Sequence, residues 1–307
     1  MHRWLPSALA LATLLVGCPG NDGDGLDDAA VDAAPSDGAV PTRVRLMTWN
    51  VRNFFDDVDD PDTNDDVATP EELADKVRDL GAVIGRFDPD FVALQEVEAN
   101  SRVLDALVAG PLAAGGYTRF EAGRNADPRG IDVAFVSRVP VTSVVTNAGA
   151  RFPNPDGGTT SFTRDLLQLR LNAGGNDVWV LIAHFLSQRN PENDGRRLAE
   201  ATAAGDVAQR LVASGNARVL LLGDVNDVPG SPAYGALTGA GLEDLTLSVP
   251  DEARFTFVFR GERTQLDHAL ATPELARGLA GISIVNDPDT ERASDHAPIV
   301  LDLNVLP

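Results

Sequence analysis

The chain reads as a series of short apolar runs, each of which stops at a polar residue. Val44-Arg45-Leu46-Met47-Thr48-Trp49 ends in Asn50, and Phe91-Val92-Ala93-Leu94 ends in Gln95-Glu96. Trp179-Val180-Leu181-Ile182-Ala183 ends in His184, and Leu220-Leu221-Leu222-Gly223 ends in Asp224-Val225-Asn226. Asp267-His268 interrupts Leu266 and Ala269-Leu270, and Asp295-His296 precedes Ala297-Pro298-Ile299-Val300. These runs, with 131–136 and 166–171, predict strands. The segments 178–183 and 218–222 are almost purely aliphatic, as strands covered on both faces should be. Leu73, Val77, Leu80, Ile84 and Phe87 recur at helical spacing, as do Leu198, Ala201, Gly205, Ala208 and Val212. The pattern predicts one α/β or mixed α+β domain. Burying an ionised group costs several kcal/mol unless it is paired or binds metal. Strand ends of this kind predict a shared rim holding carboxylates, amides and imidazoles, a hard donor set suited to Mg²⁺ or Mn²⁺.

The N-terminus has a different character. Arg3 precedes an apolar run from Leu5 to Val16 that is short for a bilayer span and predicts a signal peptide over 1–17. Leu15-Val16-Gly17-Cys18 is similar to a bacterial lipobox, which implies lipidation of Cys18 and a membrane anchor. Plain secretion is the alternative. Pro19 after the cysteine favours the outer membrane of the cell envelope. Residues 18–42 are rich in Asp, Gly, Ala and Pro and predict a disordered tether, leaving 43–307 as the domain. Cys18 is the only cysteine, so neither an intramolecular disulfide nor a thiolate zinc site is available.

Charge sharpens the picture. The chain has 307 residues and a net charge of −21. Residues 43–307 keep 40 acidic against 24 basic residues, a net of −16. Such a domain is poorly suited to holding nucleic acid by charge alone. Bound divalent cations would reverse the local field that a phosphate meets.

Seven segments, in order, carry a resemblance: Thr48-Trp49-Asn50-Val51, Leu94-Gln95-Glu96-Val97-Glu98, Gly130-Ile131-Asp132-Val133-Ala134, Ala183-His184-Phe185, Leu222-Gly223-Asp224-Val225-Asn226-Asp227, Gln265-Leu266-Asp267-His268 and Ser294-Asp295-His296-Ala297-Pro298. Together they resemble the endonuclease/exonuclease/phosphatase superfamily, the deoxyribonuclease I-like proteins, across the whole domain. The resemblance implies a four-layer sandwich of two packed mixed sheets flanked by helices, with the site at one rim. It implies Glu96, Asn50 and Asp295 as metal residues. It also implies His296 as the base that activates water, Asp267 as its orienting carboxylate, and Asp224 with Asn226 as the pair positioning the nucleophile. His184 matches a second histidine that contacts the phosphate. Asp132 is a loose match for a residue orienting His184, and Arg164 is read as a phosphate contact or, equally, a structural salt bridge.

The activity so implied is metal-dependent phosphodiester hydrolysis, with a DNA or RNA nuclease first among the readings and a monomer expected. A hydrolase of phospholipid headgroups or small phosphoesters is the alternative. A greasy protruding hairpin would favour it, and none is evident in the sequence. A surface-binding protein with lost chemistry is the third reading, opposed by the completeness of the motif set. Taken singly, each residue has a plainer explanation: an Asp-His pair is commonly a turn, and His184 could be a core imidazole. His268 is read as a bystander. Arg189, Arg196 and Arg197 could meet a phosphate or line a helix start. The crowded carboxylates of 56–66 read as a solvated loop or a structural Ca²⁺ site.

Overall fold

The computed structural model describes residues 42–121 and 127–306. The expected signal peptide, Cys18 and nearly all of the tether lie outside the described residues. The strands are β1 (Thr42–Phe54), β2 (Phe91–Glu98), β3 (Thr118–Glu121), β4 (Ile131–Ser137), β5 (Val141–Val145), β6 (Phe152–Pro153), β7 (Thr159–Thr160), β8 (Leu167–Ala173), β9 (Asn176–His184), β10 (Val219–Asp224), β11 (Glu243–Asp244), β12 (Phe257–Phe259), β13 (Glu262–Thr264), β14 (Asp267–Ala271), β15 (Leu279–Ile284) and β16 (Ile299–Val305). The α-helices are α1 (Pro70–Phe87), α2 (Arg102–Ala109), α3 (Asp194–Ala213), α4 (Pro232–Gly239), α5 (Pro273–Ala276) and α6 (Pro288–Ala293).

Two six-stranded sheets form, in the orders β15-β16-β1-β2-β4-β3 and β11-β14-β10-β9-β8-β5. β1 and β2 are parallel, as are β9 and β10, and their other neighbours run antiparallel. Alternation explains why the core strands read as continuous apolar runs. Leu46, Ala93, Ile182 and Leu222 point one way, into the core between the sheets. Their neighbours Met47, Trp49, Val92 and Leu94 pack with Leu80, Ile84, Leu104 and Leu107 of α1 and α2. On the second sheet Leu181, Ala183 and Leu221 pack with Ala204, Ala208 and Leu237 of α3 and α4. Strands with helices on one face and a second sheet on the other need apolar residues at every position. The result is the four-layer sandwich that the resemblance implies.

Local signals set the ends. Pro70 opens α1 behind a capping box in which Thr69 and Glu72 bond each other's backbone N–H groups. The edge strands β3 and β5, helix α2 and the β12–β13 hairpin were not foreseen. The hairpin corrects a sequence expectation. Its turn residues Arg260 and Gly261 have φ of 51° and 86°, the positive values a two-residue hairpin turn requires. It leaves Phe259 58% exposed and Val258 47% exposed. A greasy protrusion is therefore present, hidden in the sequence because Arg-Gly is a weak turn signal.

Candidate active site

Topology gathers the polar strand ends. Asn50, Glu96, His184 and Asp224 lie toward the C-terminal ends of β1, β2, β9 and β10. β14 runs antiparallel to β10, so Asp267 at its start stands opposite Asp224, and Asp224 also stands opposite His184. β16 runs antiparallel to β1, so the turn that precedes it, carrying Asp295 and His296, reaches the same rim. One rim therefore receives seven of the sequence-derived site residues.

The hydrogen bonds are specific. His296 Nδ1 meets Asp267 Oδ2 at 2.7 Å. The His296 carbonyl accepts from Trp49 Nε1 at 2.8 Å, and Ser294 Oγ donates to the Asn50 carbonyl at 2.7 Å. Asn50 Nδ2 donates to Asp224 Oδ2 at 2.9 Å. The Asn226 N–H donates to Asp224 Oδ1 at 2.7 Å, while its side-chain amide donates to the Phe185 carbonyl. His184 Nε2 stands 3.7 Å from Asp224 Oδ2 and 3.9 Å from Glu96 Oε1. The other Glu96 oxygen accepts from the Asn53 N–H at 3.0 Å.

The backbone is strained where these side chains are aimed. Glu96 has φ of 61° beside an irregularity in the β2–β4 register between Leu94 and Val97. Arg52, Asn53 and Asn226 also have positive φ. Left-handed non-glycine residues are uncommon and cluster at functional sites. Gly223 has φ of 140°, and a Cβ there would lie 2.0 Å from the Ala183 carbonyl oxygen. The preceding glycine is thus what lets Asp224 close onto His184.

Burial and mutual charge perturb the titrations. For His296, burial disfavours the charged ring, but the carboxylates of Asp267, Asp224 and Asp295 outweigh it and push the imidazole up to about 10. Burial, then the charge of Asp267, pushes Asp224 up to about 7 against the pull of His296 and of its donors. Burial, then the cations Arg164, Arg129 and His296, holds His184 well below the usual imidazole range. The rim thus pairs a charged imidazole with a neutral one.

The donor set fits a divalent cation. Ligand atoms of Asp224, Asp267 and His296 all lie within 4.8 Å of one another, the one such metal-competent group among the described residues. Asp267 Oδ1 is buried with no hydrogen-bond partner. The donors are oxygen and imidazole, suited to a hard metal. This group differs from the sequence-derived trio of Asn50, Glu96 and Asp295. Asn50 and Glu96 stand beside it, whereas Asp295 sits at the rim with Oδ2 3.5 Å from Arg52 Nε.

Two further sequence-derived residues are held beneath the rim. Asp132 is 1% exposed and spends one oxygen accepting from the Val133 and Asp165 N–H groups. Arg164 is 7% exposed, donating to Asp127 at 2.7 Å and to the Phe185 carbonyl at 3.2 Å. Both lie beneath the surface as supports, because neither has a free face to meet a substrate. No hydrogen bond joins Asp132 to His184, whose Nδ1 is buried without a partner. No three carboxylates of the acidic loop converge as a metal-competent group among the described residues. Asp56 is buried and accepts from the Val58 N–H and from Asn100, while Asp65 accepts from Thr63 and from the Asp60 N–H. Arg197 is buried against Asp227 and Asp194. His268 is fully buried between Asp244 and the Asp227 carbonyl, away from solvent, as its bystander reading expects. Sequence reasoning passed over Arg129, whose guanidinium bonds Asn53 and lies 3.7 Å from Glu96. It also passed over Trp49 as the donor that fixes His296.

Two mixed sheets with such a rim define a deoxyribonuclease I-like fold. The sequence model of the Endonuclease/Exonuclease/phosphatase family matches residues 47–296, and the chain belongs to that family of phosphoester hydrolases. Tyrosyl-DNA phosphodiesterase 2 of Gallus gallus is 29% identical over 145 residues, a match spanning 47% of this chain and 32% of that protein. The chain thus aligns with about a third of that relative's length. Among solved structures, D. rerio TDP2 complexed with a single-strand DNA product superposes with a TM-score of 0.59 at 19% identity, covering 86% of this chain and 99% of that one. A 3′–5′ exonuclease from Neisseria meningitidis gives 0.59 at 18% identity, covering 85% and 99%.

Proposed function

We propose that the chain is a divalent-metal-dependent phosphodiester hydrolase, first of all a nuclease acting on DNA or RNA. The observation that carries this reading is the buried Asp267–His296 pair set against Asp224 and Asn226 at one rim. A phosphodiester is anionic and repels nucleophiles, so its hydrolysis needs a base, fixed donors and compensating positive charge. In this reading the His296 ring acts in its neutral form, which a cation held among the surrounding carboxylates would favour by offsetting their charge; it then takes a proton from the attacking water, and Asp267 holds the ring in one tautomer and stabilises its charged form. The Asn226 amide and Asp224 orient the water. His184, neutral by burial, donates a hydrogen bond to the phosphate or to the leaving oxygen. Glu96 and Asn50, with Asp224 beside them and Asp295 at the rim, would hold Mg²⁺ or Mn²⁺, leaving Asp267 and His296 for the proton transfer. Such a cation, when bound, offsets the negative charge of the carboxylates and of the phosphate. The DNA-linked names of the relatives support nucleic acid as substrate.

A second reading, a phospholipid-headgroup hydrolase, is favoured by the exposed hairpin. Its Phe257 ring lies 4.8 Å from the His296 ring and 6.4 Å from that of Phe259. A lipid anchor on Cys18, with the domain held at the cell envelope, suits either reading. Turnover of plasmid DNA, RNA, sphingomyelin and a bis-phosphodiester with Mg²⁺ or Mn²⁺ separates the two. Cleavage of nucleic acid that disappears in His296→Ala supports the first, and cleavage of lipid alone overturns it in favour of the second.

A further inference from the structure

A cavity of about 430 Å³ opens beside the cluster, bounded by Arg52, Asn53, Phe55, Leu73, Lys76 and Ser294 among others. It shares Asn53 with the Glu96 side of the rim and Ser294 with the turn that carries His296. Lys76 of α1 lies within it. This is the chain's single lysine, in a sequence whose other 24 cationic Lys and Arg residues are all arginine. Its Nζ donates to the Ala293 carbonyl at 2.6 Å. Among the described residues no other hydrogen bond is made by that ammonium, and no carboxylate stands within ion-pair distance of it.

A half-buried cation without a counter-ion is unfavourable, and its environment records this. Burial pushes Lys76 down to about 8, and the charges of Asp295 and Glu96 only partly restore it. An ammonium has three donors, and the carbonyl takes one. The remaining two belong to a compact point charge that a forked guanidinium would not reproduce. Arg52 adds a largely exposed guanidinium to the same cavity, held at its root by the N–H bond to Asn50 Oδ1. Of the acidic residues on the cavity wall, Glu72 is occupied by the Thr69 cap, and Asp66 and Glu291 are solvated. Arg292 is occupied by Asp79 and Asp289.

We propose that this cavity is an anion subsite for the phosphate next to the scissile one, with Lys76 as its fixed donor and Arg52 as its outer donor. The inference rests on the phosphodiesterase reading and deepens it: the preferred substrate carries a second phosphate beside the bond that is cut. It also accounts for how so acidic a domain holds a polyanion, through two placed cations in place of a basic surface.

The test compares dithymidine substrates bearing no terminal phosphate, a 5′-phosphate or a 3′-phosphate. The wild-type chain is expected to prefer one of the phosphorylated forms by about tenfold in kcat/KM, the scale of one charge-assisted hydrogen bond. Lys76→Met lowers all the rates, because the Ala293 tie is lost, and brings the preference to within about twofold. Lys76→Arg restores only a minor part of it, and Arg52→Met, at an exposed position, reduces it about threefold. A wild-type chain indifferent to the added phosphate, or a Lys76→Met variant that keeps the full preference, overturns the proposal. If Lys76→Met does not fold, an undiminished preference in Arg52→Met overturns it. If no substrate is cut, the phosphodiesterase reading fails separately. Calorimetry with inorganic phosphate then decides the subsite: binding that is lost in Lys76→Met sustains it, and equal or absent binding ends it.

Discussion

Replacing Asp267 by Asn removes one charge and almost no volume from the centre of the rim. The wild-type contact is a buried charge-assisted bond of 2.7 Å between Asp267 Oδ2 and His296 Nδ1. Such bonds contribute about 1.5–3 kcal/mol, against about 1 kcal/mol for a neutral one. The difference of about 1–2 kcal/mol lowers the affinity of His296 for its proton by roughly one unit. The kinetic effect should be larger. A positioned acid–base group contributes about 10²–10⁴-fold, and an amide can donate as well as accept, so it also admits the wrong tautomer. Asp267→Asn is therefore expected to reduce kcat on bis(p-nitrophenyl) phosphate with Mn²⁺ by about 10²–10⁴-fold, with its melting temperature within a few degrees of wild type. The double variant Asp267→Asn/His296→Ala should be no slower than His296→Ala alone, because the pair acts as a unit. Activity of Asp267→Asn within about threefold of wild type, or multiplicative loss in the double variant, refutes the argument.

Two further predictions concern the scaffold. Gly223→Ala should destabilise by about 3 kcal/mol or more in urea unfolding, since its Cβ would lie 2.0 Å from the Ala183 carbonyl at a φ of 140°. Gly281→Ala, whose nearest neighbour would be Asp302 at 4.0 Å, should change stability by less than about 1 kcal/mol. In EDTA, stability should fall as pH rises. Asp224 is raised from 3.8 to about 7 and His296 from 6.5 to about 10, so each folded group binds its proton more tightly than the unfolded chain does. Their contributions are complete below about pH 4 and pH 6.5 and decay as pH passes about 7 and about 10 respectively. Urea midpoints at pH 6 and pH 9.5 check this: a lower value at pH 9.5, with a smaller drop in His296→Ala, is expected, and a flat or rising midpoint contradicts it.

The sheet interior was legible because helices and a second sheet cover both faces of the central strands. That double coverage writes uninterrupted apolar runs into 178–183 and 218–222. The rim was legible for the same reason. A carboxylate or imidazole at the end of such a run, as at Glu96, His184 and Asp224, contrasts with everything before it. Asp267 and His296 were harder, because antiparallel strands deliver them from their N-terminal ends, and their roles came only through the resemblance. What the sequence hid was decided by tertiary packing. Asp56 belongs to an acidic run yet is buried under Asn100 and Arg102, while Asp57 and Asp59 of the same run are exposed. Arg164 and Asp132 lie in motif-like segments but face inward. Lys76 is one polar residue on an amphipathic helix, and only the fold carries it to the edge of the site. The alternating Phe255, Phe257 and Phe259 were a hairpin signal, masked by the unusual turn pair Arg260-Gly261.

The central claim is that the Asp267–His296 rim hydrolyses phosphodiesters with a divalent cation. The most direct measurement is the rate of bis(p-nitrophenyl) phosphate hydrolysis by the purified chain in Mn²⁺ and in EDTA, beside His296→Ala prepared identically. The account predicts turnover that EDTA abolishes and that the substitution lowers by at least about 10²-fold. Turnover unaffected by EDTA, or equal in the two proteins, contradicts it.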